Sequence, residues 1–203
     1  MAEFYQNIVT EKSFKYLQEL VKNFKFILIG GWAVFLHAKT LKSKDIDIII
    51  DYEELEKFRE KFDVFKNERL KKYEVKKEEV DIDIYLPHFS RLGFPVEDIK
   101  KYTQSIEGFT VPLSEVLLIL KLHALMGREG SNKGSKDLID IFSLLKSSEI
   151  NWKNYNKIIR DYDLKKTNIK LKEAVRGAKA IPELNLLNHK ISKLKKSILT
   201  EIK

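Results

Sequence analysis

Cysteine is absent from the 203-residue sequence, and its absence excludes several kinds of cross-link and catalytic site. A chain without thiols forms no disulfides, no zinc–thiolate sites and no cysteine nucleophile. Its four histidines, His37, His88, His123 and His189, are scattered without the spacing of a metal-ligand set. A Gly-x-Ser-x-Gly elbow and a Walker-type loop are also absent, so the sequence carries no motif for serine hydrolysis or P-loop chemistry.

Long apolar segments are absent as well. The longest nearly unbroken run, Phe26 to Leu36, has 11 residues, which is too few to span a bilayer. The first six residues lack the basic and apolar regions of a secretory signal peptide. We therefore expect a cytoplasmic protein with no membrane partner, long enough to bury one sizeable core.

The positive charge of the sequence is concentrated in its last quarter. The net charge is +8 overall, but residues 1–150 carry −1 and residues 151–203 carry +9. Such a segment can attract a polyanion such as tRNA or another RNA, with binding that weakens as salt rises. The alternative is that these charges form the solvated face of a helical tail.

Two aspartates mark the start of a predicted strand. Lys44-Asp45-Ile46-Asp47 leads into the apolar run Ile48-Ile49-Ile50, which is typical of a strand. Side chains of a strand alternate between faces, so Asp45 and Asp47 lie on the same side of the sheet. Two carboxylates this close repel each other, and a divalent cation such as Mg²⁺ or Mn²⁺ would remove the conflict.

A glycine pair precedes these aspartates. Gly30-Gly31 follows the apolar run Phe26 to Ile29 and comes just before a helix predicted from Trp32 to His37. Paired glycines let backbone N–H groups approach a phosphate at the start of a helix. Together with the two aspartates, this arrangement predicts a site for a metal ion and a nucleoside triphosphate.

A second pair of aspartates lies on another predicted strand. Residues 80–85 alternate with a period of two, so Asp81 and Asp83 share the face opposite Val80, Ile82 and Ile84. Either aspartate can supply a third carboxylate to the site. The alternation alone does not choose between Asp81 and Asp83.

A helical block from residue 113 onward carries further candidates. Lys121 follows the apolar residues 116–120, so its ammonium must reach water or meet a carboxylate or phosphate. A loop over residues 128–135 carries Arg128 and Lys133, which can contact phosphates. The next helix has Asp137 and Asp140 beside a core stripe that consists of Leu138, Ile141, Phe142 and Leu145.

The glycine pair followed by Asp45-Ile46-Asp47 resembles the nucleotidyltransferase superfamily that includes DNA polymerase β. The segment from Lys121 to Arg128, with Ala124-Leu125 inside it, and the later Lys136-Asp137-Leu138-Ile139-Asp140 resemble the AbiEii-like and MenT-type toxin branch. The resemblance covers roughly residues 25–146.

This resemblance implies roles for the candidate residues. Asp45 and Asp47 are the expected metal ligands and an NTP is the expected substrate. Asp81 or Asp83 would complete the metal site, and Asp81, Asp83 or Asp137 would take the proton from the attacking hydroxyl. The resemblance adds Lys121 and Asp137 to the active site, and Lys121 and Arg128 would steady the phosphates.

One position departs from the pattern of the resembling family. Gly31 stands where many members have serine, so a phosphate contact made by that hydroxyl must come from backbone N–H groups or from Ser43. Gly30, Gly31, Ser43, Lys121 and Arg128 are therefore the candidate nucleotide-binding residues.

The remaining patterns predict an α+β fold with a small mixed sheet over residues 1–110 and a helical bundle over residues 111–203. We expect the active cleft between them, with Lys121 and Asp137 facing the two aspartates. Locally, we predict a helix over 11–23 with Leu17, Leu20 and Val21 in its apolar stripe, and a capping box formed by Asp51 and Glu54 at the start of the next helix. One or two exposed strands are expected within 63–79, followed by a loop-rich stretch from Gly93 to Pro112. Residues 151–203 are expected to form three helices, with breaks near Gly177 and Pro182.

The functional prediction is a Mg²⁺-dependent nucleotidyltransferase that moves a nucleotidyl group from an NTP to RNA, a protein or a small molecule. The branch resemblance adds the hypothesis of a toxin with a cognate antitoxin as partner. The alternative is a catalytically silent relative of the same fold that binds a nucleotide or a partner protein.

Overall fold

The computed structural model describes residues 2–77, 79–147 and 149–202. Residues 1, 78, 148 and 203, which some of the predicted ranges include, lie outside the described residues. The chain divides into two compact units, one that ends at Leu113 and one that begins at Ser114. The first unit combines helices with β-strands and the second is helical, so the α+β class expected from the sequence is confirmed.

The first unit is built around a five-stranded sheet with the order β1-β2-β5-β4-β3. β2 and β5 are parallel, and the other neighbours are antiparallel. The strands are β1 (Ile27–Ile29), β2 (Ile46–Ile49), β3 (Phe65–Asn67), β4 (Lys72–Lys77) and β5 (Val80–Tyr85). The parallel pair is the important one for the site, because it places Asp47 opposite Asp83.

Three helices accompany this sheet: α1 (Ala2–Asn23), α2 (Gly30–Ala38) and α3 (Tyr52–Lys61). α2 connects β1 to β2 and is buried along most of its length, with Trp32 only 1% exposed. The indole Nε1 of Trp32 donates to Ser13 Oγ of α1 at 2.9 Å, so the one polar atom of this buried ring is satisfied.

Two helix predictions need correction. α1 begins at Ala2 rather than at residue 11, because Val9 and Thr10 are buried and packing extends the helix beyond the predicted stripe. Val21 of that stripe is exposed. Asp51 caps α3 as predicted, since its Oδ1 accepts from the amide of Glu54 at 2.8 Å. The Glu54 carboxylate, however, accepts from the amide of Lys25 and pairs with Lys57 rather than closing a capping box.

The segment predicted to be rich in loops contains regular structure. A 3₁₀ helix covers Val96–Tyr102, and a hairpin follows with β6 (Thr103–Ile106) and β7 (Phe109–Pro112). Glu107 and Gly108 form its turn, with φ of 51° and 83°. Positive φ at both central residues is the geometry of a tight hairpin turn, which explains why a two-residue connection suffices here.

The second unit consists of five α-helices among the described residues: α4 (Ser114–Met126), α5 (Asn132–Ser147), α6 (Trp152–Asp161), α7 (Lys165–Gly177) and α8 (Asn188–Glu201). α4 contacts α5, α6 and α7, which explains its nearly continuous apolar sequence. The three helices predicted beyond residue 151 are confirmed, with the breaks after Gly177 and around the 3₁₀ turn Pro182–Leu184. No helix in the described parts of the chain is long and apolar enough to cross a membrane.

Candidate functional site

Gly30 begins α2 and lies directly against the carboxylate of Asp47. Its φ is +69°, a left-handed conformation that favours glycine. A Cβ at this position would lie 2.1 Å from Asp47 Oδ2, which is far inside van der Waals contact. Any side chain on residue 30 would therefore displace the carboxylate, so the helix N-terminus and Asp47 adjoin only because residue 30 is glycine.

Gly31 makes a similar close approach to Ser43. A Cβ on Gly31 would lie 2.8 Å from both Cβ and Oγ of Ser43, a side chain that is itself buried. The space that a serine at position 31 would need is therefore already occupied by the hydroxymethyl group of Ser43. This contact places the Ser43 side chain next to the first turn of α2.

The first turn of α2 has no polar side chain at its N-cap position. That position is held by Ile29, which makes no side-chain hydrogen bond to the helix. The first amides of a helix have no intrahelical partner, and they carry the positive end of the helix dipole. An anion bound here would be stabilised by both effects, as expected for a phosphate at the glycine pair.

Asp47 and Asp83 face each other across the parallel strands. They are register partners on β2 and β5, and both are half-buried. Burial and, after it, the negative charge of Asp47 raise the pKa of Asp83 to about 6. The hydroxyl of Tyr85 also donates to Asp47 Oδ1 at 3.3 Å. The site thus holds two carboxylates whose charges oppose each other in a partly desolvated position.

Lys72 on β4 offsets part of this repulsion. Its Nζ lies 2.6 Å from Asp83 Oδ2 and 2.9 Å from Glu74 Oε1, with the Lys72 side chain 13% exposed. Burial acts to lower the pKa of Lys72, but the hydrogen bonds that it donates to Asp83 and Glu74, with the charges of these carboxylates, outweigh burial and the pKa is raised. Sequence reasoning missed Lys72 because its segment alternates irregularly and carries many charges of both signs.

The other two predicted carboxylates are placed differently. Asp45 lies just before β2 and is half-buried, whereas Asp81 is exposed on the same face of β5 as Asp83. Among the described residues, no group of three or more Asp, Glu, His or Cys side chains is arranged to hold a metal ion. The described carboxylates therefore offer a cation fewer than three side-chain ligands at one point.

A second cluster lies within the helical unit and contains Lys121. Lys121 Nζ lies 2.6 Å from Asp140 Oδ2 and 3.4 Å from Asp137 Oδ1. All three side chains are nearly buried, with exposures of 12%, 1% and 5% for Lys121, Asp140 and Asp137. Of the alternatives that the sequence left for Lys121, the structure gives the carboxylate partner, and it adds Asp140 to Asp137.

Arg128 joins the same cluster from the turn after α4. Its Nε lies 3.3 Å from Asp137 Oδ2, and its side chain is 44% exposed. The predicted loop over residues 128–135 ends early, because α5 begins at Asn132 and places Lys133 in its first turn. Gly134 permits this early start, since a Cβ there would lie 2.2 Å from the carbonyl oxygen of Arg128.

The structure thus brings the predicted residues together in two groups. Gly30, Asp47 and Asp83 meet in the first unit, where Gly31 also meets Ser43. Lys121, Arg128 and Asp137 meet in the second unit, together with Asp140. The assignment of both groups to a single nucleotide site stays a prediction.

Comparisons with known proteins identify a family and a similar fold. A family described as "Nucleotidyltransferase of unknown function (DUF6036)" matches residues 9–181. The solved structure of JHP933 from Helicobacter pylori is similar with a TM-score of 0.51 at 17% identity, over 95% of this chain and 93% of that chain. This likeness is one of fold.

Two further solved structures have lower similarity. An antigenic nucleotidyltransferase-like protein from Paracoccidioides brasiliensis has a TM-score of 0.48 at 17% identity, over 93% of this chain and 92% of that chain. The Megavirus polyadenylate synthase has a TM-score of 0.46 at 15% identity, over 71% of this chain and 32% of that chain. No curated protein matches the sequence significantly. Because the family match spans well over half of the sequence, the chain belongs to the nucleotidyltransferase family DUF6036.

Proposed function

We propose that the protein transfers a nucleotidyl group from an NTP to a hydroxyl acceptor. The observation that carries this proposal is the pairing of Asp47 with Asp83 on neighbouring strands, at the N-terminus of α2 where Gly30 contacts the Asp47 carboxylate. A carboxylate and a helix N-terminus so close together suit a ligand with both a cation and a phosphate. Membership of a nucleotidyltransferase family supports the same chemistry.

Mg²⁺ is the cation that these residues fit. The raised pKa of Asp83, caused by burial and by Asp47, indicates local negative charge that the protein does not fully neutralise. Mg²⁺ commonly takes one or two protein carboxylates and completes its shell with water and substrate phosphates. Asp45 and Asp47 would hold it, and when bound it would neutralise charge that develops on the transferring phosphorus.

The glycine pair is proposed to bind the triphosphate. Gly30 and Gly31 begin α2, whose first amides have no intrahelical partner, and backbone N–H groups donate to phosphate oxygens. Ser43 is proposed to support this turn by filling the space beside Gly31. A serine hydroxyl at position 31 would collide with Ser43, so the glycine there is consistent with a working phosphate site.

Asp83 is proposed as the third carboxylate in preference to Asp81. Asp83 is the register partner of Asp47, whereas Asp81 is exposed to solvent. With a pKa near 6, Asp83 is mostly ionised at neutral pH and yet basic enough to accept a proton from an acceptor hydroxyl. Lys72 is proposed to hold the carboxylate in place through its 2.6 Å contact.

The resemblance assigns Lys121 and Arg128 to the phosphates. Within their own unit both cations are already paired with carboxylates of α5. A phosphate would therefore compete with Asp137 and Asp140 for Lys121. Arg128 exchanges its partner more easily, because its side chain is 44% exposed.

The acceptor is proposed to be an RNA, such as tRNA. Residues 151–203 carry a net charge of +9, which favours a polyanion over a neutral small molecule. Binding of tRNA should weaken steeply between about 50 and 200 mM salt if these charges contact phosphates. Binding that is insensitive to salt over this range would argue against the basic segment as the acceptor platform.

Transfer can be tested with each of the four labelled NTPs, Mg²⁺ and total tRNA. We expect label on the RNA, whereas label on the protein itself would identify a protein acceptor. NTP binding by calorimetry without transfer to any acceptor would favour the catalytically silent alternative. These outcomes are distinct, so the transfer assay and calorimetry together separate the three interpretations.

Matched substitutions locate the activity. Asp47→Asn should abolish transfer, and Asp63→Asn, at an exposed position of the same unit, should retain it. Asp83→Asn should likewise abolish transfer, while Asp81→Asn should retain most of it. Full activity in Asp47→Asn would overturn the proposal.

A toxin role is the finer hypothesis that the AbiEii and MenT resemblance adds. Expression of the wild-type protein should then arrest growth, and a cognate antitoxin would relieve the arrest. The Asp47→Asn variant should be harmless at the same expression level. Growth arrest by both proteins would separate toxicity from nucleotidyl transfer.

A further inference from the structure

The helical unit contains a cavity that the proposed transfer chemistry does not use. Its volume is about 500 Å³, within the range of small-molecule sites. The end of α4 and the turn after it, the first turns of α5, the second half of α7 and residues 178–181 form its walls. Most of the lining is apolar, with Leu125, Leu138 and Ile181 as its larger side chains.

One residue of this wall is only partly buried although the sequence pattern placed it in the core. Leu138 belongs to the predicted apolar stripe of α5, yet the structure leaves it half-buried at the cavity. Ala174 and Ala178 are small residues on the opposite elements. The space beside Leu138 therefore exists because the facing side chains are too short to fill it.

Lys170 supplies the buried charge of the cavity. The residue is 9% exposed and its ammonium pairs with Glu129, with Glu173 at 3.7 Å. Both glutamates are much more exposed, at 62% and 61% of their side chains. Lys170 thus has little access to bulk water, whereas both glutamates are largely exposed to it.

This asymmetry determines the sign of the ligand charge. A buried ammonium requires a partner, and an exposed carboxylate that provides one gains little itself from the pairing. The carboxylate that pairs with Lys170 can therefore be exchanged for another anion, whereas the positive charge of Lys170 stays in the cavity. The first turn of α5, through Gly134 and Ser135, also borders the cavity and adds the positive end of a helix dipole.

Glu129 is placed where it can move aside. It lies in the turn between α4 and α5, next to Gly130, which has a φ of +75° and open space around its Cα. Rotation of this one side chain would expose Lys170 to a ligand without disturbing the helices. A small anion with an apolar body would then occupy the cavity and replace Glu129.

We propose that the cavity beside Lys170 is a second binding site, for a small apolar molecule that carries one negatively charged group. The charged group pairs with the Lys170 ammonium and the apolar body packs against Leu125, Leu138 and Ile181. None of the proposed catalytic and nucleotide-binding residues lines the cavity, although Lys170 belongs to the basic segment 151–203.

Two fluorescent probes with closely similar apolar bodies test the proposal on the full chain. 8-Anilinonaphthalene-1-sulfonate carries a negative charge, and N-phenyl-1-naphthylamine is its uncharged counterpart. We expect the sulfonate to bind more tightly than the amine. Lys170→Met, which keeps the apolar stem, should weaken sulfonate binding about tenfold and leave amine binding unchanged.

Further variants show where the probes bind. Lys165→Met, on the same helix but 85% exposed, should bind both probes like the wild type. Ala174→Phe, which fills the cavity, should abolish the binding of both. Glu129→Gln should strengthen sulfonate binding about threefold, because it weakens the competing partner of Lys170.

Several results would overturn the proposal. One is unchanged sulfonate affinity in Lys170→Met, and another is an equal loss of affinity for both probes in that variant. A third is binding of either probe to Ala174→Phe. If Lys170→Met fails to fold, Lys170→Arg and Glu129→Gln decide the question. Retained sulfonate binding in Lys170→Arg together with tighter sulfonate binding in Glu129→Gln supports the site. Any other pair of results refutes it.

Discussion

The substitution Asp83→Asn should stabilise the metal-free protein while removing a carboxylate that the proposed reaction needs. Asp83 is 22% exposed and faces Asp47 across β5 and β2. Burial, followed by the charge of Asp47, raises its pKa to about 6 from the ordinary value of 3.8, and Lys72 offsets only part of this effect. The folded protein would therefore be more stable if the Asp83 carboxylate carried no charge.

The magnitude follows from the difference between the two pKa values. One pKa unit corresponds to about 1.4 kcal/mol, so the rise from 3.8 to about 6 corresponds to about 3 kcal/mol. The stability that Asp83 contributes is full below pH 3.8, where it is protonated in both states, and is lost as the pH rises through about 6. Asparagine carries no charge at any pH, so it avoids this loss. The free energy of unfolding of the variant should exceed that of the wild type by up to about 3 kcal/mol near pH 7.5, and the two values should match near pH 3.

Urea unfolding followed by tryptophan fluorescence provides the assay. The substitution Trp152→Phe in both proteins leaves Trp32, which is 1% exposed in the first unit, as the only reporter. EDTA keeps the protein free of metal. Asp81→Asn is the matched control, because Asp81 lies on the same face of the same strand but is exposed. Its effect should stay within about 0.5 kcal/mol at every pH.

Two results would refute the reasoning. One is an Asp83→Asn variant that is no more stable than the wild type near pH 7.5. The other is a stability difference that persists near pH 3, where Asp83 is protonated in the folded protein. Adding Mg²⁺ provides a further check, because a cation at Asp47 would relieve the same repulsion. It should reduce the difference in the free energy of unfolding between Asp83→Asn and the wild type near pH 7.5.

Two more predictions concern the glycine turn and the buried lysine. Gly30→Ala should destabilise the protein more than Gly108→Ala in urea unfolding, because both have positive φ but only the Cβ at residue 30 meets a side chain. Gly108→Ala, the control, should lower the free energy of unfolding by about 1–2 kcal/mol, and Gly30→Ala should lower it by clearly more. Lys121→Met should lower the free energy of unfolding by about 3–5 kcal/mol in thermal or urea unfolding, because it removes the ammonium that pairs with the buried carboxylate of Asp140. Lys133→Met, at an exposed position of α5, should change stability by less than about 0.5 kcal/mol.

Local periodicity was sufficient to predict the strands that carry the candidate site. Residues 80–85 alternate strictly, and the structure has β5 over Val80–Tyr85 with Val80, Ile82 and Ile84 buried. The apolar runs on either side of the glycine pair became β1 and β2. These predictions are confirmed because alternation along one strand needs no information about which strand lies beside it.

The hairpin of β6 and β7 was missed although its signal is present. Glu107-Gly108 separates two short segments, Thr103–Ile106 and Phe109–Pro112, that pair along their whole length. A polar residue followed by glycine between strand-like segments is a hairpin signal. The nearby Gly93, Pro95 and Pro112 favoured a loop, because these residues are also typical of irregular connections.

The choice between Asp81 and Asp83 could not be made from the sequence. Both residues lie on the same face of one strand, so periodicity treats them alike. What separates them is the register between β2 and β5, which brings Asp83 opposite Asp47 although 35 residues lie between them in the chain. The position of Lys72 next to Asp83 depends on the β4–β5 pairing in the same way. Pairing of this kind follows from the whole sheet and not from any local pattern.

The two most informative features of the site differ in what they imply about activity. Gly30 is needed for the fold itself, because both its positive φ and its contact with Asp47 exclude a side chain. A silent relative would need the same glycine, so the glycine does not distinguish the alternatives. The pairing of Asp47 with Asp83 is different, because burial and, after it, the charge of Asp47 raise the pKa of Asp83 and so destabilise the folded protein at neutral pH. Folding alone gives no reason for such a pair, whereas binding of a cation and a phosphate does. The carboxylate pair is therefore the stronger argument for an active site.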